Sequence, residues 1–206
     1  MATEERVASR RLPPGSHGIP ADVVARNQRE RLVAAMAEVC AERGYAEASV
    51  AGVAKRAGVS SLTFYKQFAG KRDCMLAAHK ELLGRLLEEV DRAREAESGG
   101  KTKTRETIRT ALALFAADAP SARLLTVEIL AAGGRGTKCY DAMVEALARR
   151  LRGGGDPGEA DPPLPNADWV WVAGMLALIG KLVMAGEADR LPELEDELVA
   201  TVSMPS

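Results

Sequence analysis

The chain has 206 residues, 47% of them hydrophobic, and a formal net charge of −1; that length allows one domain or two modest ones with a substantial core. Three widely spaced cysteines, Cys40, Cys74 and Cys139, form no CxxC pair and argue against a disulfide framework; the polar start MATEERVASRR has no signal-peptide pattern, so a cytoplasmic location is expected. The near-neutral total hides a split: residues 1–80 hold 13 Lys and Arg against 8 Asp and Glu, and residues 81–206 hold 15 against 21, so a part suited to phosphate contact precedes an acidic remainder.

In chain order, residues 1–19 read as an arm broken by Pro13, Pro14, Gly15 and Gly18. Arg6, Arg10 and Arg11 suit phosphates or a minor groove, and a solvated tail is an equal reading. The first helix is expected from Pro20, a residue suited to a first turn, to about Arg43. Gly44 stops it. Its apolar face carries Val24, Leu32, Ala35, Met36 and Val39.

The stretch SVAGVAKRAGVSSLTFYKQFAGK, Ser49 to Lys71, predicts two short helices and a tight turn. Ser49 can cap the first, and Val50, Val53, Ala54 and Ala57 share one of its faces. Gly58 ends it, where a left-handed backbone costs glycine nothing. Ser60 can cap the second helix, in which Phe64 and Phe68 share a buried face. Ser61, Leu62, Thr63, Tyr65, Lys66 and Gln67 then point outward or half outward. Such side chains suit a helix in the major groove, where Leu62 can meet a thymine methyl. A bare helix–Gly–helix pair also occurs in many all-α proteins that bind no DNA.

A long helical pattern follows, with Met75, Leu76, His79, Leu82, Leu83, Leu86, Leu87 and Val90 at a period near 3.6, to Gly99-Gly100. Further helices are expected from Thr104 to Asp118, Pro120 to about Ala131, and Gly136 to Arg152, with Gly133-Gly134 as a break. GGGDPGEADPPLP, residues 153–165, is a loop by composition. Asn166 can cap an apolar helix to about Gly186, and Leu191 to Val202 forms the last. Nothing alternates as a strand would, so the expected fold is all-α. The apolar run from Trp169 is shorter than the roughly 20 residues of a membrane span, so no membrane is expected. The helix from Asn166 is apolar nearly all round and should be buried on more than one side. Ala173, Ala177 and Gly180 form a small-residue seam, open to a subunit interface or to the chain's own core.

His17 and His79 are the only histidines, and no Cys/His set has zinc spacing. The glycine clusters near 133 and 153 match no phosphate loop. No catalytic residue, metal or cofactor is expected.

Gln28-Arg29-Glu30-Arg31, Ala34-Ala35, Arg43-Gly44-Tyr45, Ser49-Val50, Val53-Ala54, Ala57-Gly58-Val59-Ser60, Thr63-Phe64-Tyr65, Phe68, Lys71 and Leu76 closely resemble the N-terminal domain of TetR-family transcriptional regulators. The resemblance covers a quarter to a third of the chain. Leu62 stands where the family often has a small residue, and Gln67 where it often has His, which leaves the target sequence open. The resemblance implies a three-helix helix-turn-helix domain over 20–72 and a helical ligand-binding and dimerisation domain over 73–206. It implies a homodimer reading a near-palindromic duplex operator, with Leu62, Thr63, Tyr65 and Lys66 near bases and phosphates. Ser61 belongs to the same surface, and Ser49, Lys55, Gln67 and Lys71 lie nearer the backbone. Dimer contacts are expected at Tyr140, Met143, Leu147, Ala173, Ala177 and Gly180. An unidentified apolar or amphipathic effector is expected against Phe115, Leu125, Glu128, Met143, Trp169, Met175 and Ile179, releasing the repressor from DNA. The alternative is a protein–protein adaptor or an enzyme on a helical scaffold.

Overall fold

The structure, a computed structural model, describes residues 20–153 and 165–202; the expected arm and most of the expected loop lie outside them. Helix α1, Ala21–Glu47, is interrupted at Gly44 (φ 76°, ψ 158°), so its last turn leaves in a new direction. Then come α2, Val50–Arg56, and α3, Ser61–Gln67. The long α4 spans Lys71–Glu95 and α5 spans Gly100–Ala117. Next are α6, Ala119–Thr126, a 3-10 segment at Glu128–Ala132, and α7, Gly134–Leu151. The chain closes with α8, Asn166–Met184, a 3-10 segment at Ala188–Leu194, and α9, Glu195–Thr201. The described residues contain no strand, so the all-α expectation holds.

Helices α5 and α7 begin four and two residues earlier than expected, and three other boundaries differ for physical reasons. The helix expected to run from Pro120 to Ala131 stops at Thr126, whose hydroxyl donates to the Ala122 carbonyl at 2.7 Å, and Val127 leaves helical geometry (φ −120°, ψ −60°). The last expected helix splits because Pro192, which has no N–H to give, sits in a 3-10 segment ahead of α9. Asn166 is the first residue of α8 rather than its cap, and Pro165 precedes it.

Two apolar cores result. The first joins Leu32, Met36 and Cys40 of α1, Val53 of α2, Phe64, Phe68 and the start of α4. Leu124, Ile129 and Ala132 complete it from the far side of the expected boundary at residue 72. The second packs Leu86 and Val90 of α4 against α5, α7 and α8, with Leu191 and Leu198 closing one end. Each fully buried Leu, Ile or Phe removes apolar surface worth about 1.5–3 kcal/mol. Helix α8, with 19 residues, is long and apolar enough to cross a membrane by length and composition alone. Val172, Met175, Leu176, Ile179, Gly180 and Val183 form its buried face within the second core.

Candidate nucleic-acid interface

The helix pair is built by short-range bonds that its sequence dictates. Ser49 caps α2 by accepting from the Gly52 N–H at 3.1 Å. Ser60 caps α3 by accepting from the Thr63 N–H at 3.0 Å, with its oxygen also 3.0 Å from the Thr63 hydroxyl. Between them Gly58 takes φ 64°, the left-handed conformation that favours glycine. The Phe64 and Phe68 rings lie 5.6 Å apart inside, and the Tyr65 ring meets Phe64 edge-on at 5.6 Å. Phe64 is therefore both the anchor of α3 and the base on which Tyr65 stands.

Long-range clamps fix α2 against α1. The Arg31 guanidinium donates to the Ala57 carbonyl and, at 2.9 Å, to the Gly58 carbonyl, holding the turn itself. Arg56 pairs with Glu38 at 2.9 Å and with Glu42 at 2.6 Å. Exposed pairs like these contribute little stability individually, and their geometry fixes the direction of α2. Periodicity does not reveal them, because their partners lie 14 to 27 residues away.

Of the residues expected to read DNA, Ser61, Leu62, Tyr65 and Lys66 form the outer surface of α3, with Leu62 69% and Tyr65 58% exposed. Lys55 is also exposed, on α2. Ser49 is exposed with its oxygen committed to the cap, and Thr63 is half-buried beside Ser60. Two residues turn away from that surface. Gln67 donates to the Ala25 carbonyl at 3.3 Å. Lys71 donates to the Tyr45 and Ala46 carbonyls at 2.9 and 3.1 Å, with its ammonium 4.5 Å from the centre of the Tyr45 ring. Carbonyls and a π face at the break in α1 satisfy that ammonium within the chain.

The residues expected to hold an effector do not form one cavity. Phe115, Leu125, Met143, Met175 and Ile179 are packed in the second core, and Trp169 stands apart, 38% exposed. Glu128 is 6% exposed and bonded to Arg123 and to the Tyr45 N–H, so its partners are protein groups. A cavity of about 580 Å³ is lined instead by Gly100, Thr104, Leu151, Asp168, Trp171 and Val202 among others. None of the seven expected residues lines it.

The expected dimer set also divides. Met143 and Leu147 are 0% and 1% exposed inside the second core. Gly180 faces α6, where a Cβ would meet Val127 Cγ2 at 3.0 Å and Thr126 Oγ1 at 3.3 Å; its smallness serves packing within the chain. Tyr140 and Ala173 are half-buried, and Ala177 is exposed. Ala177 belongs to an uncovered stripe of α8 with Val170, Gly174 and Met184, at helical spacing, with Val170 64% and Met184 51% exposed.

Burial pushes the Cys40 and Cys74 thiols up to about 12, so neither is a thiolate near neutral pH. The described residues hold no group of three or more His, Cys, Asp or Glu arranged for a metal.

Residues 32–78 match the family model of bacterial regulatory proteins, tetR family. A curated relative, the fatty acid metabolism regulator protein of Bacillus subtilis, is 32% identical over 88 residues, 43% of this chain and 45% of that protein; the match spans less than half of that relative's length. Among solved structures, the fatty acid degradation regulator FadR of Bacillus halodurans superposes with TM-score 0.69 at 20% identity, covering 86% of this chain and 97% of that one. FadR of Bacillus subtilis in complex with stearoyl-CoA gives 0.64 at 22%, covering 83% and 95%. A TetR-family regulator of Bordetella parapertussis gives 0.63 at 18%, covering 86% and 97%. These likenesses establish the fold over nearly the whole described chain.

Proposed function

We infer that this chain, a member of the TetR family of bacterial regulatory proteins, is a DNA-binding transcriptional regulator that works as a homodimer and represses until an effector binds. The observation that carries the reading is α3, a helix anchored by buried Phe64 and Phe68 that presents Ser61, Leu62, Tyr65 and Lys66 to solvent. In a helix-turn-helix dimer, two such helices enter successive major grooves about 34 Å apart. Lys55 and Lys66 supply phosphate contact, which sets register, and Leu62 and Tyr65 supply contact with base edges, which sets sequence. The exposed stripe of α8, apolar from Val170 to Ala177 and interrupted by Lys181 before Met184, supports self-association, since exposed apolar stripes mark partner sites.

The effector proposed is a long-chain acyl-CoA thioester. Its support is the kinship with a fatty acid metabolism regulator and with a fold that holds stearoyl-CoA in another protein. The densely packed second core then has to open for an acyl chain, so the ligand-bound arrangement differs from this one. A ligand that prefers a geometry with the wrong α3 spacing lowers DNA affinity by linkage alone.

Footprinting with DNase upstream of this gene and its neighbours tests both parts. Protection of two half-sites is expected, lost on adding stearoyl-CoA and kept with coenzyme A alone. No protection at low salt would overturn the DNA reading. Protection indifferent to acyl-CoA would overturn the effector.

A further inference from the structure

The break at Gly44 opens one turn of α1, and the second half of the chain fills it. A helical bond from the Tyr45 N–H to the Ala41 carbonyl needs helical dihedrals at Gly44, which has φ 76° and ψ 158°. Each of those two groups instead meets a side chain from the segment around α6. Arg123 Nη1 donates to the Ala41 carbonyl at 2.6 Å, and the Tyr45 N–H donates to Glu128 Oε2 at 2.7 Å. The two side chains also pair with each other, Arg123 Nε and Nη2 lying 2.8 and 2.7 Å from Glu128 Oε1. An ion pair thus stands in for a helical hydrogen bond. Glu128 is 8% and Arg123 19% exposed at the side chain, so the pair is shielded from solvent and its bonds are directional.

We propose that the Arg123–Glu128 pair positions the DNA-reading helices. Lys71 grips the next two carbonyls, Tyr45 and Ala46. Residues 41–46 are therefore held from α6 on one side and from α4 on the other, just before Ser49 starts α2. This inference rests on the DNA-reading function above. It adds two positioning residues that touch no DNA.

The test uses the full chain with Glu128→Gln and Arg123→Lys, and Arg92→Ala as control. Gln keeps an acceptor for the Tyr45 N–H and loses the charge. Lys keeps the charge and loses the planar fork that reaches Ala41 and Glu128 together. Arg92 pairs with Glu89 on the exposed side of α4. The expected result is a folded chain whose dissociation constant for the footprinted operator rises about tenfold, with binding to a scrambled duplex unchanged and the control like wild type. Amide exchange of the DNA-free protein should show protection lost through α2 and α3 while α5 keeps its own, a pattern that general destabilisation does not give. Folded variants with operator affinity within about twofold of wild type and unchanged α2–α3 protection would overturn the proposal. Should Glu128→Gln fail to fold, Arg123→Lys decides by the same readouts. A wild-type chain that binds no duplex removes the DNA reading instead, and the exchange pattern still decides the positioning role.

Discussion

A Cβ built on Gly58 would lie 2.7 Å from Nη2 of Arg31. Gly58 is favoured by its positive φ of 64°, and a side chain there would push aside the end of the guanidinium that holds its carbonyl at 2.9 Å. Gly58→Ala should destabilise the chain by about 2 kcal/mol, combining left-handed backbone strain with displacement of Arg31. Arg31→Met removes the obstruction together with the clamp. Urea unfolding of both single variants and the double variant should show non-additivity, the double costing less than the sum. Strict additivity would mean that the two residues do not act on one another.

Lys71 and Lys66 separate two roles that a sequence cannot tell apart. The Lys71 ammonium is engaged with the Tyr45 and Ala46 carbonyls and the Tyr45 ring, whereas Lys66 is exposed on α3. Lys66→Ala should weaken binding to all duplexes and reduce the slope of log affinity against log salt by about one. Lys71→Ala should lower the melting temperature and leave the slope unchanged. A flattened slope for Lys71→Ala would restore it as a phosphate contact.

His79 couples stability to pH. It is 2% exposed, its Nε2 has no hydrogen-bond partner among the described residues, and burial lowers its pKa from 6.5 to about 4. The unfolded chain binds the proton more readily, so stability is fully present above pH 6.5 and is lost as pH falls toward 4. Between pH 7 and pH 5 this residue should account for about 2 kcal/mol of lost stability. Urea titrations at the two pH values, compared with His79→Leu, isolate it. A variant with the wild-type pH dependence would clear His79 of the effect.

The uncovered stripe of α8 predicts a charge-sensitive dimer. Val170→Glu should convert a dimer to a monomer in sedimentation velocity, because a carboxylate in an apolar interface cannot keep its hydration. The same chain should show lower affinity for the full operator and ordinary affinity for a half-site. A dimer that survives Val170→Glu intact would move the interface elsewhere.

The features legible in the sequence were those whose cause is local. Ser49, Ser60 and Gly58 act over three or four residues, so spacing alone identified two caps and a turn. Phe64 and Phe68 follow from helical period. What stayed hidden depends on chain segments that meet only after folding. Glu128 is placed by the family resemblance among the effector residues, yet the N–H it serves lies 83 residues earlier. Gln67 and Lys71 sit at the right register for DNA and turn to carbonyls 42 and 26 residues away. In α8 the period failed for another reason. A helix apolar all round gives no phase, so Gly180, packed on α6, and Ala177, facing outward, were indistinguishable.

Leu124, Ile129 and Ala132 lie in the same core as Phe64 and Met36, which makes the proposed DNA reader a poor candidate for transplantation. A chimera spliced within α4, joining this chain's first three helices to another regulator's body, would leave a hydrophobic socket and the Tyr45 N–H waiting for residues that the new body does not carry. On the proposed function, rewriting the outer face of α3 changes specificity without touching that core. Exchanging the whole reader means bringing α6 along.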